Sequence, residues 1–268
     1  MLSLLYVIFA VNITAMATKI NEIIKKVHRE SLLFSSWLSL NKIDRKQQSL
    51  YVKSGWLERI SVGVYKISGE KPTIYSAISS YNHQLSRKCY VGALSALDIK
   101  GFSHFVPMGK PNAYLFSSNT ERLPVWILSF DWDMNVHYST TSLFEDSDLG
   151  LETQIYNGFE LLISSPERAI MECIALAPNL FSLMDIFYVM EMLTTLRPKL
   201  VQQLLEKCTS IKVKRLFLYM AEKSGHIWFS AIDKEKIVLG SGNRHLAKNG
   251  VFISKYNITI PKELAEYE

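Results

Sequence analysis

The chain has 268 residues, 48% of them apolar, enough for one large core or two moderate ones. Its formal net charge of +5 hides an uneven distribution. Residues 16–103 hold 14 Lys and Arg against 6 Asp and Glu, residues 104–193 hold 3 against 12, and residues 194–256 hold 12 against 4. This pattern predicts two surfaces that face polyanions, or a basic face folded against an acidic one; the alternative is charge that only segregates onto solvated faces.

The sequence argues against a protein stabilised by disulfides or zinc, and against an enzyme. Cys89, Cys173 and Cys208 lie far apart in the sequence, so they predict buried thiols of a reducing compartment and neither a disulfide nor a zinc site. No phosphate-binding glycine motif and no nucleophile motif is present, so we expect no catalytic residue, no metal and no cofactor. The chain is predicted not to be an enzyme.

The first fifteen residues differ from the rest. Met1 to Ile13 is apolar and uncharged, too short to span a bilayer, and no basic segment precedes it. Ala15-Met16-Ala17 has the spacing of a signal-peptide cleavage site, but the segment that follows is typical of a DNA-binding protein. We therefore expect translation to start at Met16, with residues 1–15 an unstructured leader or a wrongly assigned start.

Residues 19–67 predict a winged helix-turn-helix. Lys19 to Glu30 supplies a first amphipathic helix. Ser35 or Ser36 can cap a short helix with Trp37, Leu38 and Leu40 inward. Asp44 can begin a second helix, with Gln47 completing a capping box and Gly55 ending it. The runs 56–60 and 64–67 form a hairpin, the wing, around Ser61-Val62-Gly63.

This arrangement places polar side chains where a recognition helix and a wing meet DNA. Leu50 and Tyr51 are expected to turn inward. Gln47 or Gln48 is expected to read adenine and Arg45 to read guanine. The predicted DNA-contacting residues of the helix and the wing are Arg45, Lys46, Gln47, Gln48, Lys53, Arg59 and Lys66. Three helices and a hairpin also build winged domains that bind proteins, so the alternative of an interaction module stays open.

The rest of the chain predicts a second domain that begins near residue 73. A helix is expected over 73–86 and another over 93–100. Strands are expected at 112–117, 125–130, 135–139, 152–156 and 159–163, the last two forming a hairpin around Asn157-Gly158. Helices are expected at 166–176, 181–193, 198–207 and 211–224, followed by a strand-like end at 237–261. The fold class is α+β, with a winged helix-turn-helix domain (16–72) before a larger mixed α/β domain (73–268).

One helix of this second domain is strongly basic. Lys212, Lys214, Arg215 and Lys223 share it with apolar residues, so the cations are expected on its exposed side. Either this side is a solvated lysine face, or it contacts nucleic acid or an acidic partner.

The residues also resemble a known family. Ser54-Gly55-Trp56-Leu57-Glu58-Arg59-Ile60, Val91-Gly92-Ala93-Leu94-Ser95-Ala96-Leu97, Ile163-Ser164-Ser165-Pro166-Glu167-Arg168 and Ile211-Lys212-Val213-Lys214-Arg215 resemble AbiEi in that order. AbiEi is the antitoxin and transcriptional regulator of the AbiE-type (type IV) toxin–antitoxin systems of bacteria. The resemblance extends from about Met16 to the C-terminus, and it adds Tyr51 to the positions that match the DNA-binding helix.

The resemblance implies two functions. The winged domain would bind inverted repeats in double-stranded promoter DNA and repress its own operon, and the larger domain would neutralise a nucleotidyltransferase-like toxin without requiring a stable complex. It also implies a cytoplasmic protein with no membrane partner. An interaction module that contacts toxin or RNA through the basic helix is the rival function, and an enzyme that reverses the toxin's chemistry is a third.

Overall fold

In this computed structural model the described residues are 19–102 and 109–267, so the predicted leader (1–15) and the start at Met16 lie outside them. The chain divides into two compact units. One contains the chain up to Cys89 together with Pro124–Met134 and Ile155–Leu161, and the other contains Tyr90–Leu123, Asn135–Gln154 and Leu162–Glu268. No helix of the described ranges is long and apolar enough to cross a membrane.

The first unit contains the winged helix-turn-helix. A helix at residues 19–26 (α1) precedes the other elements, which are β1 (Leu32–Phe34), α2 (Ser35–Leu40), α3 (Arg45–Lys53), β2 (Leu57–Ser61) and β3 (Val64–Ile67). The three strands form an antiparallel sheet in the order β1-β3-β2. Strand β1 was not predicted. It is only three residues long and fully buried, so it carries no polar-apolar alternation that the sequence could reveal.

The core of this domain is built from apolar side chains of all its elements. Ile20 and Ile23 of α1 pack with Leu38 of α2, Tyr51 of α3 and Tyr65 of β3. Leu40, predicted to face inward, is 81% exposed, and Ile43 in the turn is buried instead. The predicted serine cap of α2 is also absent: the helix starts at Ser35, whose hydroxyl donates to the Gln48 side chain.

The next helix, α4 (Ile74–Leu85), forms hydrogen bonds to strand β1 of the winged sheet, and its predicted position is confirmed. The Ser80 hydroxyl accepts a hydrogen bond from the Leu32 amide at 3.0 Å, and Gln84 accepts one from the Phe34 amide at 2.9 Å and donates one to the Leu32 carbonyl. These bonds satisfy the outer edge of β1. Accordingly, the first unit extends past residue 72 to Cys89.

A five-stranded mixed sheet has the order β6-β5-β4-β8-β7 and lies mostly in the second unit, with residues 155–161 of its last hairpin assigned to the first. Its strands are β4 (Tyr90–Val91), β5 (Asn112–Ser118), β6 (Asn135–Thr141), β7 (Leu151–Tyr156) and β8 (Phe159–Ser164). Asn157 and Gly158 both have positive φ (49° and 82°), as the predicted tight hairpin requires. The segment 125–130, predicted as a strand, contains instead the helix α6 (Val125–Ser129), because Ile127 is buried and its carbonyl accepts from the Trp132 indole.

In its described part, the second unit also contains six α-helices and a second sheet near the C-terminus. The helices are α5 (Ala93–Ile99), α7 (Pro166–Leu176), α8 (Leu183–Met192), α9 (Pro198–Lys207), α10 (Ile211–Lys223) and α11 (Lys262–Glu266). The second sheet has the order β10-β11-β9, with β9 (Arg244–His245), β10 (Val251–Ile253) and β11 (Ile258–Ile260). All three cysteines are buried and free, as the sequence predicted.

Candidate nucleic-acid interface

Helix α3 begins with the capping box that the sequence predicted. The Asp44 carboxylate accepts from the Gln47 amide at 2.8 Å, and the Gln47 side chain accepts from the Asp44 amide at 3.2 Å. This pairing satisfies donors that would otherwise lack partners at the start of the helix and fixes its first residue. As a result, the rotation of α3 about its axis, and with it the set of exposed side chains, is well defined.

One face of α3 is exposed, and it carries two kinds of side chain. Arg45, Ser49 and Lys53 follow each other at intervals of four residues, and Lys46 and Leu50 form the neighbouring row. All five are exposed, Leu50 by 42%. The prediction that Leu50 turns inward is therefore wrong. Ser49 is one of the polar residues that the sequence places in the first two turns of this helix, and the spacing of four puts it beside Arg45 on the exposed face.

Two predicted DNA contacts on α3 point into the protein. Gln48 is 1% exposed, and its side-chain amide group donates to the carbonyl oxygens of Ile43 (2.9 Å) and Ser35 (3.1 Å). Tyr51 is also 1% exposed and lies in the apolar core, where burial raises the pKa of its hydroxyl. Neither residue reaches the surface, so both assignments are corrected: they hold the helix-turn-helix together.

Gln47 is half-buried, and its side-chain oxygen is occupied by the capping box. Bidentate reading of adenine needs this oxygen as an acceptor, so Gln47 would have to break the cap to read a base. Among the predicted base-reading residues Arg45, Gln47 and Gln48, only Arg45 is fully available on the exposed face.

The wing presents one available cation and one neutralised cation. Arg59 is exposed, with its guanidinium 5.8 Å from the centre of the Tyr65 ring. Lys66 instead forms an ion pair with Glu58 (2.8 Å) and donates to the Glu70 carbonyl (2.8 Å). The Lys66 hydrogen bond, with others from the Gly69 amide and the Ser68 hydroxyl, lowers the pKa of Glu58 to about 2. Val62, at the tip of the wing, is 91% exposed.

The basic helix α10 does not present its cations as predicted. Lys214 and Arg215 are buried, at 5% and 1% exposure. Arg215 donates to the carbonyl oxygens of Leu239 (2.9 Å), Gly240 (3.1 Å) and Gly242 (2.6 Å), and also to that of Asn257 (3.0 Å). Lys214 donates to the Val238 carbonyl at 3.3 Å. These two cations therefore anchor the segment that precedes β9 and are not a surface for a partner.

Lys212 and Lys223, at the two ends of α10, are half-buried and also bind backbone oxygens. Lys212 donates to Ala175 (2.9 Å) and Ala177 (2.7 Å), at the C-terminal end of α7, and its burial lowers the pKa of its amine. Lys223 donates to Tyr267 at 2.5 Å. The prediction of an exposed basic face is thus wrong for α10, because every residue from Val213 to Ala221 is buried.

Both parts of the chain match known protein families. Residues 16–108 match a family described as the N-terminal domain of the AbiEi antitoxin, a transcriptional regulator. Residues 110–261 match a family described as transcriptional regulator, AbiEi antitoxin, type IV TA system.

The chain belongs to the AbiEi family.

The AbiEi fold is also present in a solved structure. The crystal structure of RV2827C protein from Mycobacterium tuberculosis is similar to this chain with a TM-score of 0.64 and 14% sequence identity, over 92% of this chain and 91% of that one. At this identity the similarity shows the fold alone. A comparison with curated proteins found no match. The family assignment identifies an antitoxin and transcriptional regulator of a type IV toxin–antitoxin system, which is a regulatory role.

Proposed function

We propose that this AbiEi protein represses its own operon by binding inverted repeats in double-stranded promoter DNA through α3 and the wing. The supporting observation is the exposed face of α3, where Arg45, Lys46, Ser49, Leu50 and Lys53 project together from a helix fixed by its capping box. A recognition helix of this kind enters the major groove with its first turns against the base edges.

The side chains of this face suit different parts of the duplex. Arg45, in the first turn, fits the paired acceptors of guanine. Leu50 offers an apolar surface to the methyl group of thymine, and Ser49 can bond to several bases. Lys46, Lys53 and Arg59 fit phosphates, which position the protein and make binding sensitive to salt. Lys66 is expected to contribute less to phosphate binding because its charge is neutralised by Glu58.

The direct test is an electrophoretic mobility shift on the DNA immediately upstream of the gene. The protein is titrated at two salt concentrations against a scrambled competitor of the same length. We expect a specific, salt-sensitive shift in one or two discrete steps, each step counting one bound protein or dimer. The absence of a shift at micromolar protein would refute the repressor function and favour a protein-binding winged domain.

We also propose that the second unit carries the antitoxin function, in the cytoplasm, against a cognate nucleotidyltransferase-like toxin. The match over residues 110–261 to the antitoxin family supports this assignment. The double variant Arg45→Ala, Lys46→Ala, expressed from an unrelated promoter together with the toxin, should lose operator binding and still protect cells. The matched control is Arg87→Ala, an exposed cation outside the winged segment. If only the double variant failed to protect cells, the antitoxin function would depend on DNA binding. This result would refute the assignment of the two functions to separate parts of the chain.

A further inference from the structure

The turn between α2 and α3 has the hydrogen bonds of a Schellman motif. The Ile43 amide donates to the Leu38 carbonyl at 2.9 Å, and the Lys42 amide donates to the Ser39 carbonyl at 3.1 Å. Ile43 and Leu38 are both buried in the core of the winged domain, which is the apolar contact that accompanies this motif. Lys42 therefore occupies the position of the motif at which the backbone is left-handed, and its φ is 65°.

A lysine is an unexpected residue at this position. Helices that end in this way have glycine there in most cases and asparagine in some, because a residue with a Cβ atom is strained at positive φ. In the ranges 19–102 and 109–267, the other non-glycine residues with positive φ are Ser86, Ala93, Asn157, Asn249 and Asn257. All five are uncharged. The sequence thus keeps a lysine where glycine would fold at least as well, so the lysine side chain itself needs an explanation.

The Lys42 ammonium is not needed to end α2. Three carbonyl oxygens near the end of the helix accept from backbone amides of the turn, and one of them also accepts from the Asn41 side chain. The Lys42 side chain is exposed, and it forms no hydrogen bond or ion pair with any residue of 19–102 and 109–267. Asp44, the acid closest to it in sequence, holds its carboxylate in the capping box of α3. The positive charge of Lys42 is therefore available to a partner.

The position of the turn brings this charge close to the exposed face of α3. Lys42 precedes Arg45 by three residues, so their Cα atoms are at most about 11 Å apart. A recognition helix enters the major groove with its N-terminal residues against the base edges. The turn before such a helix lies at the rim of the groove, where the phosphates are, so a lysine in this turn reaches a phosphate before it reaches a base.

We propose that Lys42 binds a backbone phosphate of the operator duplex and thereby positions α3 in the major groove. The proposal rests on the DNA-binding function proposed above, and it adds a contact that lies outside both α3 and the wing. The ligand is a phosphodiester of double-stranded DNA, recognised by its charge and independently of sequence. The strained left-handed lysine is retained because the contact needs a cation that glycine cannot supply.

The test separates the backbone conformation of residue 42 from its charge. Lys42→Gly removes the strain and the charge, Lys42→Gln removes the charge and keeps the strain, and Lys42→Arg keeps both. Each full-length variant is unfolded with urea. Each is also titrated with the operator and with random duplex DNA at about 50 mM and about 200 mM salt.

We expect Lys42→Gly to be at least as stable to urea as the wild type and yet to bind both duplexes more weakly. Loss of one phosphate contact lowers the salt slope by about one. The ratio of wild-type to variant affinity should therefore be about 3- to 4-fold larger at the lower salt concentration than at the higher one. Lys42→Gln should show the same loss of binding without a gain in stability, and Lys42→Arg should bind as the wild type does.

Two substitutions outside the helix-turn-helix are matched controls. Ser86→Gly makes the same backbone change at the left-handed C-cap of α4, where φ is 53°, and it removes no charge. Its stability to urea should not fall, and its DNA binding should be unchanged. Arg87→Ala removes an exposed cation from the same unit, and it should leave the salt slope for both duplexes unchanged.

Three results would overturn the proposal when the wild-type protein shifts the operator. Lys42→Gly and Lys42→Gln could both bind with the affinity and the salt slope of the wild type. Lys42→Gly could unfold at a lower urea concentration, which would give the lysine a role in the fold. A loss on the operator alone would assign Lys42 to a base. A wild-type protein that binds no DNA would instead refute the DNA-binding function, so the two failures are distinguishable.

Discussion

The Ser35 hydroxyl of α2 donates a hydrogen bond to the Gln48 side-chain oxygen of α3 at 2.6 Å, across the two helices of the helix-turn-helix. The amide nitrogen of the same Gln48 donates to the Ile43 carbonyl in the turn between them. One buried side chain thereby fixes both helices and the turn. This explains why a residue in the first half of the recognition helix is unavailable to DNA.

Replacing Gln48 should therefore destabilise the domain more than it changes base reading. The variant Gln48→Ala removes four side-chain hydrogen bonds and takes the Gln48 donor from the Ile43 carbonyl oxygen, which costs about 1–3 kcal/mol. The check is chemical unfolding, with hydrogen exchange of the α2 and α3 amides. Ser49→Ala, one residue further on and exposed, is the matched control and should change stability little. Equal stability of both variants would contradict the assigned role.

Arg45 should contribute to sequence specificity. Its replacement by alanine removes the guanidinium that we propose to bind guanine, and it should weaken operator binding by about 1–3 kcal/mol, with a much smaller effect on random DNA. Lys53→Ala is the comparison: loss of a phosphate contact weakens both DNAs alike and lowers the salt slope by about one. Quantitative mobility shifts on both DNAs measure the difference. Equal losses on the two DNAs for Arg45→Ala would make Arg45 a phosphate contact as well.

Arg215 should hold the segment before β9 in place. Arg215→Met keeps much of the apolar stem but removes four hydrogen bonds, and it leaves the carbonyl oxygens of Leu239, Gly240 and Gly242 without a donor. Hydrogen bonds to charged donors contribute about 1.5–3 kcal/mol each. We expect a loss of about 3 kcal/mol or more in unfolding free energy. Amide exchange over residues 238–246 should accelerate at the same time. Lys199→Met, an exposed lysine on α9, is the control; equal effects of the two substitutions would refute the anchoring role.

The wing should weaken at acid pH. The pKa of Glu58 falls from its usual 4.5 to about 2 in the folded protein, mainly through the Lys66 hydrogen bond. A depressed pKa means that the stabilising contribution is present above pH 4.5 and is lost as the pH falls towards 2. The protection factors of the β2 and β3 amides, which compare observed exchange with the intrinsic rate at each pH, should fall in the wild type across this window.

The variant Glu58→Gln removes this titration. The protection factors of its β2 and β3 amides should be nearly independent of pH over the same window. The variant also frees Lys66 for phosphate, so its binding to random DNA should become tighter and more sensitive to salt. Unchanged acid dependence in Glu58→Gln would show that another carboxyl group controls the wing.

Structural features were predictable from the sequence where the interacting residues lie close together along the chain. The Asp44–Gln47 capping box, the Asn157-Gly158 hairpin and the helix starts at Thr73 and Ser165 were all identified correctly. Each involves residues within a few positions of one another, so the sequence displays both partners together. The segment 125–130 was assigned wrongly because β propensity reflects packing context more than the backbone itself.

The sequence by itself determined most of the helices and strands, the winged helix-turn-helix and the family resemblance. The tertiary structure decided which polar residues face outward. Gln48 binds Ser35, 13 positions away, and Arg215 binds the carbonyl oxygen of Asn257, 42 positions away. A glutamine or an arginine looks the same in sequence whether its partner is a base, a phosphate or a carbonyl oxygen of its own chain. Burial through long-range packing makes that choice, because a buried polar group must find its bonds inside the protein.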